Sequence, residues 1–163
     1  MVQSTAYSSG FPASSVLILA EEDGNLDNGN ANYWLGKRGR TWGQGFTLRV
    51  DLCARMIAGV QIKNTKYPRT HNKGTKGFRL SASLDEFGRW ETLGDYTLPN
   101  PGGNTPTLLN FTFGEPVELQ FLKFDLISFW GDGGGLQYFA AIPVTSEYEH
   151  NSSFNLFCKK EDH

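Results

Sequence analysis

The sequence predicts an all-β domain that folds as one antiparallel β-sandwich, or jelly roll, of eight strands. Three observations lead to this fold class. Short segments alternate apolar and polar side chains with a period of two, which is typical of strands with one wet face. The 163 residues include 19 glycines, and aromatic residues make up 13% of the chain. Glycine favours tight turns and aromatic residues favour pleated surfaces. No segment shows a sustained helical period with caps.

Each predicted strand is bounded by turn-forming residues. The first is a short apolar run beginning at Val16, as in buried strands. The second alternates Phe46 and Leu48 with polar neighbours, and the third places Val60 and Ile62 on one face. The later strands follow the same alternation or are longer apolar runs. In chain order the predicted strands are 16–20, 46–52, 56–64, 78–84, 90–98, 108–113, 119–129 and 136–144.

A chain of this length is predicted to form one domain with its own core, since about 70% of its unfolded surface is buried on folding. Residues 1–15 are small and polar and are predicted as a flexible leader. Residues 16–144 form the domain, and residues 145–163 are predicted as a polar C-terminal tail.

The longest connections are predicted to meet at one end of the sandwich. If each strand reverses direction, the segments 21–45, 65–75, 99–107 and 130–135 emerge together, while the opposite end has short turns. Loops carried by a rigid scaffold are where binding sites form. This end is therefore the candidate site.

Charge and composition exclude some classes. The chain has 15 Lys and Arg against 17 Asp and Glu, a net charge of -2, which argues against a dedicated nucleic-acid binder. No apolar run approaches the roughly 20 residues of a membrane span. The N-terminus lacks the pattern of a signal peptide, which favours a cytoplasmic location, or an extracellular one if the sequence is a mature fragment. The spacing of Cys53 and Cys158 does not decide whether they pair.

The connection 65–75 carries side chains suited to sugar hydroxyls. Arg69 offers a rigid fork of donors, His71 and Asn72 both donate and accept, and Tyr67 offers an aromatic face. An ordinary polar loop is the alternative. We expect this loop to contact a ligand because it is long and lies at the predicted binding end.

Two other connections offer tryptophans. Trp42 lies among the cations Lys37, Arg38 and Arg40, and could contact a sugar, an anionic lipid headgroup or an acidic protein surface. Packing of Trp42 on the barrel with solvated cations is an equal alternative.

The glycine-rich segment 130–135 is not a phosphate loop, since no Gly-Lys-Ser/Thr follows. Trp130 and Asp132 are candidate contacts at the rim, with a tight hairpin as the alternative.

Several strings, taken in order, resemble the discoidin family, also known as coagulation factor V/VIII C-type domains. The strings are Asn32-Tyr33-Trp34, the run 73–79 (KGTKGFR) and the run 129–139 (FWGDGGGLQYF). The likeness extends over about residues 16–144. It implies a galactose-binding-like jelly roll, similar to many carbohydrate-binding modules, that binds sugars, phospholipid headgroups or proteins through loops at one end.

The resemblance also implies a structural calcium ion before the Tyr-Trp string. Asp23, Asn25 and Asp27 place side-chain oxygens at alternate positions, which can converge on a hard cation. The segment is not an EF-hand, and on the residues alone a solvated loop is the better reading.

Taken together, these observations predict a non-catalytic module that binds a carbohydrate or glycoconjugate, in the manner of a lectin, with calcium as its expected cofactor. Two alternatives stay open: an intracellular protein-interaction domain, and a peripheral binder of anionic phospholipid surfaces. No nucleophile elbow and no HExxH zinc motif is present, so an enzyme is not expected.

Overall fold

The computed structural model describes residues 3–6, 13–17, 33–66 and 72–145. Within these residues the chain forms nine strands and one 3-10 helix, Ala13–Leu17. The strands are β1 (Gln3–Ser4), β2 (Trp34–Leu35), β3 (Gly45–Arg49), β4 (Arg55–Asn64), β5 (Lys73–Ser83), β6 (Glu91–Thr97), β7 (Leu109–Leu119), β8 (Phe121–Gly131) and β9 (Gly135–Pro143). The helix in the described residues has five residues, and none that could span a membrane is found there.

The strands form two sheets that pack face to face. The five-stranded sheet has the order β1-β3-β8-β5-β6, and the four-stranded sheet has the order β2-β9-β4-β7. Every strand pair in both sheets is antiparallel. This architecture confirms the predicted all-β antiparallel sandwich.

Aromatic side chains fill the space between the sheets. Phe124 stacks on Phe46 and Phe78, with ring centroids 5.0 and 5.3 Å apart. Trp34 and Phe139 meet the Phe124 ring edge-on. Burying one such side chain fully contributes about 1.5–3 kcal/mol to the free energy of folding. The aromatic cluster is therefore a major source of the stability of the core. The indole nitrogen of Trp34 donates to the carbonyl oxygen of Thr5, which attaches the N-terminal segment to the core.

Gly45 begins β3 at a point where no side chain fits. A Cβ atom at this position would lie 1.9 Å from the carbonyl oxygen of Phe124 on β8, and Gly45 has a φ of 156°. The close approach of the two backbones therefore depends on glycine.

The prediction of a first strand at residues 16–20 is wrong for the two residues that the structure describes, because Val16 and Leu17 lie in the 3-10 helix. Ala13 and Val16, three residues apart on one side of this helix, are both buried. The apolar run thus indicates burial rather than an extended backbone. The other seven predicted strands correspond to β3 through β9.

Two differences follow from tertiary pairing. β2 lies within the predicted connection 21–45, where Trp34 pairs with Leu136 of β9. β7 continues through Gly114 and Pro116, which the sequence predicts as a turn. β7 is an edge strand, where a proline without an N–H is tolerated, and the register shifts opposite this segment between Ile57 and Gly59.

Four connections lie at one end of the sandwich, as predicted from strand alternation. We call the loop end the described residues 36–44, 65–66, 72, 98–108 and 132–134, with the strand ends that adjoin them. The opposite end carries the connections 50–54, 84–90 and 120.

Candidate functional site

Backbone hydrogen bonds join the connections of the loop end to one another. Asp132 is the centre: its amide donates to the carbonyl oxygen of Asn72 at 3.0 Å, and its carbonyl oxygen accepts from the amide of Gly39 at 2.7 Å. The amide of Gly36 donates to the carbonyl oxygen of Gly134 at 2.9 Å. Three connections that are distant in sequence are therefore held as one surface.

Asn72 occupies a left-handed turn that leads into β5. Its φ of 55° is the only positive value at a non-glycine residue among those described. Asparagine tolerates this region better than most residues, and such conformations are concentrated at functional sites. The side chain of Asn72 is exposed, so its amide is available to a ligand.

Lys73 lies directly beneath this surface and is 1% exposed. Its ammonium group donates to the carbonyl oxygen of Gly36 at 2.9 Å, which ties β5 to the first connection. Burial lowers the pKa of Lys73, the carboxylate of Asp132 opposes that shift, and the guanidinium of Arg38 adds to it. A Cβ atom at Gly133 would lie 3.0 Å from the Lys73 nitrogen, so this glycine makes room for the buried cation.

Arg38 and Asp132 form an ion pair across two connections. Arg38 Nη2 lies 2.9 Å from Asp132 Oδ2, and the two side chains are 71% and 28% exposed. Asp132 Oδ1 is buried and has no hydrogen-bond partner within the described ranges. A buried acceptor of this kind is costly to leave unsatisfied, which makes it a place for a ligand donor or a water molecule.

Trp130 lies at the end of β8 and is half-buried. Its indole nitrogen donates to the carbonyl oxygen of Leu98 at 3.2 Å, which links the glycine-rich connection to the loop 98–108. The ammonium of Lys76 lies 4.7 Å from the centre of the Trp130 ring. One face of the indole is thus occupied by a cation.

A cleft of about 250 Å³ opens between β4 and the loop 98–108. Prolines and short polar side chains make up most of its lining. Leu98, whose carbonyl oxygen accepts from the Trp130 indole, lines the cleft as well. The lining residues are Asn64, Leu98, Pro99, Asn100, Pro101, Asn104, Thr105, Pro106, Thr107 and Leu109.

Trp42 projects from the first connection and is 92% exposed. The connection that carries it is braced from below by Gln44, a buried residue whose side-chain oxygen accepts from the amide of Lys37 at 2.8 Å. Gly43 follows Trp42 with a φ of 67°, a left-handed turn that glycine accepts without strain. The indole is therefore held out in solvent by an ordered loop.

The predicted site residues divide into two groups. Trp42, Asn72, Trp130 and Asp132 all lie at the loop end, and the backbone of Asp132 contacts that of Asn72.

The remaining predicted residues lie outside the described residues. They are Tyr67, Arg69 and His71, predicted to bind the ligand, and Asp23, Asn25 and Asp27, predicted to bind calcium. Within the described ranges, no group of three His, Cys, Asp or Glu side chains could hold a metal ion.

Sequence reasoning missed the two lysines of β5. Lys73 and Lys76 fall in or beside the predicted loop 65–75, whereas β5 begins at Lys73. The side chains of Lys73 and Thr75 lie two residues apart, as on one face of a strand. This spacing is the signal that could have extended the predicted strand 78–84 back to Lys73. A lysine at an inward position is uncommon, because its charge is costly to bury.

The opposite end also carries aromatic side chains. The ammonium of Lys123 lies 5.8 Å from the centre of the Trp90 ring, and Phe87 is 85% exposed. Trp34, in contrast, is fully buried. Cys53, near this end, is disulfide-bonded, and Cys158 lies outside the described residues.

No family model matches the chain, and no curated protein matches it. Solved structures do match. The family 32 CBM from Clostridium perfringens NanJ in complex with galactose has a TM-score of 0.55 and 18% identity, and the alignment covers 84% of this chain and 88% of that one. A chitosan-binding module of a chitosanase/glucanase from Paenibacillus sp. IK-5 has a TM-score of 0.59 and 14% identity, with 85% and 89% covered.

A third match is the CBM32 of AlyQ in complex with 4,5-unsaturated mannuronic acid, with a TM-score of 0.60 and 17% identity over 87% and 93% of the two chains. At these identities the similarity shows the fold. It confirms the predicted jelly-roll β-sandwich, the architecture that the resemblance to discoidin domains implied.

Proposed function

We propose that this chain is a non-catalytic carbohydrate-binding module that recognises its ligand through the loop end. The observation that carries the proposal is Trp42, which is 92% exposed on a connection braced by the buried side chain of Gln44. An exposed indole on an ordered loop offers a flat apolar surface to the C–H face of a sugar ring at a low entropic cost.

Polar groups around this surface supply the directional part of recognition. The exposed amide of Asn72 and the guanidinium of Arg38 can bind hydroxyl groups. Asp132 Oδ1 can accept a hydrogen bond from a ligand, because no donor in the described residues reaches it. We propose that Tyr67, Arg69 and His71, from the connection that precedes Asn72, complete this set. Arg69 adds a planar fork of donors that suits adjacent hydroxyl groups.

The fold comparisons support this proposal. The three proteins above share this architecture; all three are binding modules, and two of them were solved in complex with a sugar. Their ligands differ widely, so the chemistry of the ligand has to be inferred from the residues of this chain.

A peripheral binder of anionic phospholipid is the second candidate. It is favoured by one observation: Trp42 lies on the same connection as the exposed cations Lys37, Arg38 and Arg40. Tryptophan at a headgroup interface with lysine and arginine nearby is a recurrent membrane-binding arrangement. Sedimentation with vesicles of phosphatidylserine and phosphatidylcholine separates the two candidates.

A glycan array probed with the wild type, W42A and R69A tests the proposed function. We expect the wild type to bind at least one glycan, and both variants to bind about tenfold more weakly. F87A is the matched control, because Phe87 is an exposed aromatic residue at the opposite end, and its binding should equal that of the wild type. A wild type that binds no glycan, or an F87A variant that loses binding as W42A does, would refute the proposal.

A further inference from the structure

We infer that the carbohydrate bound at the loop end is anionic, bearing carboxylate or sulfate groups. This inference rests on the proposed function and specifies the chemical class of its ligand. Three observations carry it. Cations are gathered around the exposed indole of Trp42, the carboxylate of Asp132 is engaged in an ion pair, and a cation lies over the ring of Trp130.

Positive charge is concentrated at the loop end although the chain as a whole has a net charge of -2. Lys37, Arg38, Arg40 and Lys76 are all exposed there. Among the described residues of this end, Asp132 is the only acidic one. Cations gathered on one surface raise the local concentration of an anionic ligand, and they do so whatever the net charge of the protein.

The carboxylate of Asp132 does not repel an anion from this surface. Its Oδ2 atom lies 2.9 Å from Arg38, and its backbone is committed to Asn72 and Gly39. Arg38 is still 71% exposed while it forms this pair. The guanidinium therefore keeps donors that face solvent, held in position by the ion pair, and can bind a second oxyanion.

Lys76 places a cation beside an aromatic surface. Its ammonium lies 4.7 Å from the centre of the Trp130 ring, a distance at which the aromatic face attracts a cation. A sugar that approaches Trp130 from the rim would find an apolar surface and a positive charge side by side. This pairing suits a sugar ring that carries an anionic substituent better than it suits a neutral one.

Titration with chemically matched sugars tests the inference. The probes are tetragalacturonate and its methyl ester, and a κ-carrageenan tetrasaccharide and its desulfated form, which separate carboxylate from sulfate. We expect at least one anionic member to bind about tenfold more tightly than its neutral partner at 20 mM NaCl. That preference should shrink several-fold at 500 mM NaCl, because salt screens exposed charges.

Charge-neutralising variants locate the effect. Removing one exposed cation, in R40Q or K76Q, should weaken binding of the anionic probe by about two- to fivefold, and binding of the neutral probe by clearly less. R89Q is the matched control, since Arg89 is an exposed cation in the connection 84–90 of the opposite end and should bind as the wild type does. All three positions are exposed, so the fold is expected to survive, and circular dichroism checks it.

The outcomes separate the two proposals. Equal, salt-independent binding of charged and neutral sugars would overturn the anionic class and leave carbohydrate binding intact. Equal loss of affinity in R89Q and R40Q would also overturn it. Sedimentation with phosphatidylserine vesicles, together with no binding to these probes or to the glycan array, would overturn both proposals in favour of a membrane surface.

Discussion

The ammonium nitrogen of Lys73 lies 2.9 Å from the carbonyl oxygen of Gly36, which is 37 residues earlier in the chain. This hydrogen bond joins the start of β5 to the first connection from within the protein, beneath the surface that carries Arg38 and Asp132. The buried cation is thus part of the support of the candidate site.

Replacing Lys73 by methionine should destabilise the protein by about 1–3 kcal/mol, because the carbonyl oxygen of Gly36 loses a charged donor while it stays buried. Urea unfolding followed by tryptophan fluorescence measures the change. K76M is the control: Lys76 is exposed, and its substitution should change stability by less than about 0.5 kcal/mol. Equal stability of K73M and the wild type would show that Lys73 does not support this end.

Glycine at position 45 should be indispensable. G45A would place a methyl group 1.9 Å from the carbonyl oxygen of Phe124, so the β3–β8 pairing has to break, and we expect a loss of more than about 3 kcal/mol or no folded protein. G43A should cost only about 1–2 kcal/mol, since Gly43 has a φ of 67° but nothing within 4 Å.

Thermal unfolding of both glycine variants and of G114A makes the comparison, because Gly114 has open space and no positive φ. G114A should be close to the wild type. The account of Gly45 would be contradicted by a G45A protein as stable as G114A.

Acid should weaken a specific ion pair of the opposite end. Hydrogen bonds from the Arg55 side chain and the Leu52 amide hold the pKa of Asp51 below its ordinary value of 3.8. The folded state then binds fewer protons than the unfolded state in this range. The contribution of the pair is fully present above pH 3.8 and is lost as the pH falls through the lower, folded pKa.

We therefore expect the wild type to lose more stability than D51N between pH 5 and pH 2. The difference should be less than about 1 kcal/mol, because both side chains of the pair are partly exposed. Urea midpoints across this pH range measure it. Parallel pH profiles for the two proteins would mean that Asp51 does not titrate with a shifted pKa.

Calcium binding by Asp23, Asn25 and Asp27 is proposed from the sequence pattern and the resemblance. If it is correct, millimolar calcium raises the thermal midpoint of the wild type relative to protein in EGTA, since a ligand that binds only the folded state stabilises it. The D23N/D27N double variant should show no such shift. Magnesium at the same concentration is the control for ionic strength, and an equal response to both ions would reject the site.

The sequence allows most of the strands to be predicted because one face of each is buried. The alternation of Phe46 and Leu48, or of Val60 and Ile62, reports directly which side chains face the core. Strand alternation alone then places the four connections at one end. Val16 misleads because a short apolar run records burial, and a 3-10 turn buries Val16 as well as a strand would.

The site itself is less predictable. Trp42 could be singled out as an aromatic residue among cations, yet only the structure shows that it is exposed rather than packed on the barrel. Lys73 is missed because the sequence does not show that its ammonium donates a hydrogen bond to the carbonyl oxygen of Gly36. The contact between Lys76 and Trp130 depends in the same way on the register of β5 with β8.

The two backbone groups of Asp132 bind two different connections, at Asn72 and at Gly39. Loops of this sandwich are therefore not interchangeable parts. A single connection transplanted onto another jelly roll would lose the neighbours that shape it, and a productive graft has to carry all three with Lys73 beneath them. The same dependence constrains the divergence of the site: a change of ligand is easier through exposed side chains such as Trp42 or Arg40 than through insertion or deletion in any one loop.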